Sequence, residues 1–129
     1  MKSRDEAILE KILKYIEQVE DAHRDYGHMF ETFKSSTVYR NACCMCVLQI
    51  GELCKALTGE LRNREGSVPW REWCGIRDVF AHQYAGIDIE IAWNTLEDDL
   101  PLLKENVGVI LKKMRAGEDS GNDKSEGKQ

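Results

Sequence analysis

Residues 37–62, TVYRNACCMCVLQIGELCKALTGELR, decide the fold class. Cys43, Val47, Ile50, Cys54, Leu57 and Leu61 recur at alternating spacings of three and four, which places them on one face of a helix. Cys44, Leu48 and Leu53 flank that stripe and widen it beyond a single packing face. A helix of this kind is either central to a bundle or also part of a dimer interface. Ser36 or Thr37 is placed to cap its start, and the pattern predicts that it runs to about Arg62.

Working outward, Ile8, Leu9, Ile12, Leu13, Ile16 and Val19 predict a first helix over residues 5–23, with charges on its other side. Tyr26-Gly27 breaks that pattern, and Met29, Phe30 and Phe33 are expected to dock a connecting turn. Arg62-Asn63-Arg64-Glu65-Gly66-Ser67 reads as a polar loop. Pro69 suits the first position of a third helix carrying Trp70, Trp73, Ile76 and Phe80. Ala85-Gly86-Ile87 predicts a break, and Asp88 a cap for a fourth helix through Trp93 and Leu96. Pro101 is expected to begin or kink a fifth, with Leu102, Leu103, Val107, Ile110 and Leu111 as its apolar side. No β-alternation of useful length and no repeat occurs. The expectation is an all-α, four- to five-helix bundle over residues 1–115, followed by a polar, disordered tail over 116–129 that cannot bury itself.

A chain of 129 residues suits one domain with a real core. No apolar run approaches the roughly 18 residues a spanning helix needs. The amino terminus has no apolar signal region behind it, so the reading is a mature, cytoplasmic protein that does not enter a membrane. The net charge of −5 argues against broad coating of nucleic acid. Part of it belongs to the tail, where Glu118, Asp119, Asp123 and Glu126 oppose only Lys124 and Lys128. A local basic cleft remains open to an acidic body.

Cys43 and Cys46 have C-x-x-C spacing, which suggests a metal or redox pair. No second pair or nearby His completes a zinc set, and both cysteines belong to the apolar stretch, so core packing is the expected role. No cofactor is expected. His23 and His28 lie around the first loop without carboxylates at ligand spacing and are expected to be solvated. Glu52 falls among apolar positions and stays open between a paired buried carboxylate and a surface one. Arg62, Arg64 and Arg71 read as a solvated basic loop, and Trp70 and Trp73 as core.

The chemistry concentrates in Arg77-Asp78-Val79-Phe80-Ala81-His82-Gln83-Tyr84. Arginine clamps phosphate oxygens, and imidazole titrates near neutral pH. Together they suggest work on a phosphodiester without a metal. At about 100° per residue, Arg77 and His82 diverge by roughly 140°, whereas Asp78 and His82 share a face. The geometry works best if His82 ends its helix or lies just past it, with Asp78 hydrogen-bonding His82, orienting it and raising its pKa. Tyr84, seven residues from Arg77, nearly shares the arginine's face.

Trp70-Arg71-Glu72, Gly75-Ile76-Arg77-Asp78 and His82-Gln83-Tyr84 together resemble the R-x4-H-x-Y segment of HepT-like toxins of the HEPN superfamily. Arg40-Asn41-Ala42, Gln49-Ile50-Gly51-Glu52, Gly86-Ile87-Asp88-Ile89-Glu90, Trp93 and Asp98-Asp99-Leu100-Pro101-Leu102 extend the resemblance over roughly residues 5–112. The resemblance implies an up-and-down HEPN bundle that forms a homodimer, pairing two motifs in one cleft. It also implies a metal-independent ribonuclease acting on RNA, the toxin of a type VII-like pair. The implied antitoxin partner is a minimal nucleotidyltransferase (MNT) that adds AMP to the motif tyrosine. By that resemblance Arg77 and His82 are catalytic, Tyr84 is the modification site, and Asp78 supports them. The chain has Asp78 where the family's motif usually has Asn, and a carboxylate there repels phosphate. The other class of function is a non-catalytic HEPN adaptor subunit that partners a nucleotidyltransferase.

Overall fold

The computed structural model describes residues 2–84 and 89–127, with side chains within 2–80 and 89–117. Ser3 opens helix α1 (Arg4–Tyr26) by accepting from the Glu6 amide, and Gly27, at φ +88°, closes it in the left-handed conformation. Leu9, Ile12, Ile16 and Val19 form its buried stripe. A short α2 (Phe30–Ser35) follows, anchored by fully buried Phe33. Met29, expected to dock there, is largely exposed instead.

Helix α3 (Thr37–Ala56) is capped by Ser36, whose hydroxyl accepts from the Tyr39 amide. It packs along α1 as the principal pair of the bundle and also meets α2, α5 and α6. Cys43, Val47, Ile50 and Cys54 are fully buried on it, as the apolar stripe predicts. The helix stops six residues short of Arg62. Leu57 turns into extended backbone at φ −67° and ψ 147°, and Thr58 caps a separate α4 (Gly59–Arg64). Asp5 of α1 pins that turn, accepting from the Thr58 amide at 3.0 Å and its hydroxyl at 2.6 Å. Leu57 and Leu61 still reach the core, so periodicity alone ran straight across the break.

The expected third helix is also divided, into α5 (Trp70–Cys74) and α6 (Ile76–Tyr84), with Pro69 as the residue before the first. Helix α7 (Ile89–Asn94) continues through one π-helical turn (Thr95–Asp99) into α8 (Leu100–Gly127). The Leu100 amide bonds to the Thr95 carbonyl, five residues back. Pro101 explains the widening: it has no amide to give, and its ring crowds the carbonyl four residues earlier. Proline here widens a turn inside a continuing helix and does not start one. Helix α8 packs on α1 through Leu103, Val107, Ile110 and Leu111. Its backbone runs beyond Arg115 into the stretch that composition assigned to a tail, where Ala116 and Gly117 are exposed.

Among the described residues no strand occurs, and the architecture is an all-α bundle. None of the described helices is long and apolar enough to cross a membrane. The break expected at Ala85-Gly86-Ile87 and the Asp88 cap lie outside the described residues.

Candidate functional site

Helix α6 is set against α3 by a glycine. A Cβ at Gly51 would stand 2.6 Å from Ile76 Cγ2 and 2.8 Å from the Trp73 carbonyl oxygen, so only glycine admits this approach. Ile76 and Phe80, four apart, turn inward, and Phe80 is fully buried. Burying a phenylalanine stabilises by about 1.5–3 kcal/mol, which holds the helix in its rotation. Arg77, Asp78 and Val79 therefore face outward.

The Arg77 side chain is 69% exposed, and its Nη1 donates to Glu52 Oε1 at 3.5 Å. Glu52 follows Gly51 directly and is shared with Lys55 at 3.4 Å. Its side chain is 44% exposed, so it is a surface carboxylate with a partner across the helix interface. Exposed pairs at such distances contribute about 0–1 kcal/mol. Arg77 is thus presented at the surface, lightly tethered, and free to exchange a carboxylate for a phosphate oxygen. Glu52 is the neighbour that spacing along the motif does not reveal, since 25 residues separate it from Arg77.

His82 lies within α6, which is described as far as Tyr84. The expectation that it ends the helix or lies past it is corrected, since the helical backbone continues beyond it. A regular helix directs positions 77 and 82 roughly 140° apart, while 77 and 84 lie nearly in line. The side chains of His82 and Tyr84 are outside the described residues, and so is the hydrogen bond expected between Asp78 and His82. Asp78 itself is exposed beside Arg77.

The sequence pattern described as "Ribonuclease HepT-like" matches residues 12–110, which take in Glu52 and all of α6. The chain belongs to the HepT-like ribonuclease family. It is 36% identical over 105 residues to a protein of Caldanaerobacter subterraneus subsp. tengcongensis named "Putative RNase TTE0752", a match covering 81% of this chain and 92% of that one. It is 32% identical over 104 residues to "Probable ribonuclease HepT" of Thermococcus cleftensis, covering 81% and 93%. A third relative, "Gamma-glutamylcyclotransferase and putative RNase MJ0434" of Methanocaldococcus jannaschii, is 31% identical over 106 residues; the match covers 82% of this chain but 47% of that longer protein. No solved structure matches at a significant level.

Elsewhere in this HepT-like chain the structure overturns one reading of the histidines. His23 is buried, not solvated. Its Nδ1 hydrogen-bonds the hydroxyl of fully buried Tyr39, and its ring stacks on that of His28 with centroids 3.9 Å apart. Glu97 of the π-turn meets His28 Nε2 at 2.5 Å and His23 Nε2 at 3.6 Å. Burial pulls the His23 pKa down, helped by the neighbouring His28 and opposed by Glu97 and Glu20. Burial likewise pushes the Tyr39 phenol up. Among the described residues His23, His28 and Glu97 form a group able to hold a metal ion. Sequence spacing missed it because Glu97 lies 69 residues from His28.

The cysteines pack as expected. All five are free thiols, Cys43, Cys44, Cys46 and Cys54 are buried, and Cys74 is half-buried. Burial raises Cys43 and Cys54 to about 12 and Cys44 to about 11, so they are inert thiols at neutral pH. Trp70 and Trp73 are core, the Trp70 indole donating to the Glu65 carbonyl at 3.0 Å. Arg64 and Arg71 are exposed as expected, whereas Arg62 is half-buried with Nη1 3.7 Å from Cys74 Sγ.

Proposed function

We propose that this protein is a metal-independent endoribonuclease toxin that works as a homodimer, with Arg77 and His82 as its catalytic residues. The observation that carries the reading is the exposed, lightly tethered Arg77 guanidinium on the helix that also holds positions 82 and 84. Family membership supplies the ribonuclease class.

Metal-free RNA cleavage uses the substrate's 2′-hydroxyl as nucleophile. One neutral His82 takes its proton as the oxygen attacks phosphorus. The protonated His82 of the second copy gives a proton to the departing 5′-oxygen. Arg77 donates to the phosphate oxygens as their negative charge grows. The products are a 2′,3′-cyclic phosphate and a 5′-hydroxyl. Cleavage that persists in EDTA, yields cyclic ends and disappears in His82→Ala is the expected result. Loss of cleavage in EDTA from still-folded protein, or 3′-hydroxyl ends, would overturn it.

The partner in this reading is an MNT-type nucleotidyltransferase antitoxin. The Tyr84 oxygen attacks the α-phosphorus of ATP, pyrophosphate leaves, and the phenolic proton is released. The resulting phosphodiester adds negative charge to the α6 motif and repels RNA. Incubation with ATP and an MNT-type nucleotidyltransferase should add AMP by mass to the wild type but not to Tyr84→Phe.

A second reading, the non-catalytic adaptor subunit, is favoured by one feature: Arg77 pairs with the Glu52 carboxylate and is followed in the chain by a second carboxylate, Asp78. Growth arrest on expression, absent in Arg77→Ala, supports the toxin; unimpeded growth supports the adaptor.

A further inference from the structure

We propose that His23, His28 and Glu97 form a binding site for a zinc-class divalent cation, separate from the α6 motif and independent of its reading. The three side chains come from α1, the turn after it and the π-turn before α8. One ligand-type atom of each lies within 4.8 Å of the others. Two imidazole nitrogens and a carboxylate oxygen are a donor set that Zn²⁺ accepts, with water completing a tetrahedron. Glu20 borders the same groove, but Lys104 holds it at 2.7 Å, which leaves the fourth position to solvent.

The local backbone is shaped to bring the donors together. Gly27 at φ +88° and His28 at φ +54° are two consecutive left-handed residues. They fold the chain back so that His28 lands on His23, five residues upstream, with the rings 9° from parallel. Trp93 stands edge-on to both rings, its centroid 5.6 Å from His23 and 5.8 Å from His28. The Tyr39 hydroxyl engages His23 Nδ1, the kind of second partner that orients a metal-binding imidazole. With Nδ1 occupied, Nε2 is the nitrogen left facing Glu97. Where Nδ1–H donates to Tyr39, Nε2 turns its lone pair toward a carboxylate, an arrangement that a cation between them relieves.

Parallel rings aim their lone pairs in parallel, so chelation needs one ring to tilt. His28 can do this, because its side chain is 49% exposed at the groove mouth, whereas His23 is held in place. A bound cation would tie the α1–α2 turn to the π-turn. Copper(II) and nickel(II) should compete with zinc at such nitrogen-rich ligands.

The test uses metal-stripped, full-length protein titrated with Zn²⁺ by calorimetry and with Co²⁺ by absorption. Saturation at one ion per chain is expected, with tetrahedral cobalt bands, no thiolate-to-cobalt charge transfer, and a higher unfolding temperature with Zn²⁺. His28→Asn keeps a residue that tolerates the left-handed turn, and Glu97→Gln keeps the shape of the carboxylate. Each should weaken binding by at least about tenfold. Absence of saturable binding, wild-type affinity in both variants, or a thiolate charge-transfer band would overturn the site. These readouts do not involve RNA, so failure here and failure of the ribonuclease mechanism are distinguishable.

Discussion

Arg77–Glu52 and His23–His28–Glu97 are both basic–acidic clusters between distant segments, yet they are built in opposite ways. Arg77 and Glu52 meet at 3.5 Å with both side chains in solvent, and Glu52 is shared with Lys55. His23 is buried and fixed by Tyr39, by the stacked His28 and by Trp93. The first contact is worth little and is easily exchanged, which suits the phosphate contact proposed for Arg77. The second is held from several directions, which suits structure or a resident ion. Close packing around Arg77 comes from behind it, through Gly51, Ile76 and Phe80, and the side chain itself is left exposed.

The contrast can be broken most sharply at Arg77. Arg77→Ala should lower RNA cleavage by about 10²–10³-fold, the usual loss for one transition-state donor, with no change in unfolding temperature. A variant that unfolds earlier would make Arg77 structural after all. Gly51→Ala should behave oppositely, destabilising by about 1–3 kcal/mol in urea unfolding because the added methyl meets a backbone oxygen. Unchanged stability would mean that α5 and α6 do not approach so closely.

Tyr39→Phe should cost about 1–3 kcal/mol by leaving buried His23 without its hydroxyl partner, with helical content retained. A neutral result would remove the claim that this cluster is tightly determined. The buried thiols offer a pH test. Burial raises Cys43 and Cys54 from 9.0 to about 12, so the folded state favours the neutral thiol. Their stabilisation is whole below about pH 9 and is lost as pH rises toward 12. Urea midpoints should fall across that window, and iodoacetamide should modify half-buried Cys74 before the four buried thiols. Glu52→Gln is the smallest change: stability should move by less than about 0.5 kcal/mol, while RNA binding at low salt strengthens as Arg77 is released.

The sequence by itself determined the bundle, the apolar faces of α1, α3 and α8, the role of the buried cysteines and the candidate motif. These follow from periodicity and local spacing, which a one-dimensional pattern carries in full. It overran the boundary at Leu57-Thr58, because Leu57 and Leu61 keep the helical period while Asp5, 53 residues away, holds the turn between them. It left open whether Pro101 begins or kinks the last helix, because the π-turn that absorbs proline has no signature of its own. Only the tertiary structure decided that Glu52 faces Arg77 and that His23 is buried under His28 and Glu97. Both are encounters between residues far apart in the chain, and helix packing creates them where no spacing rule reaches.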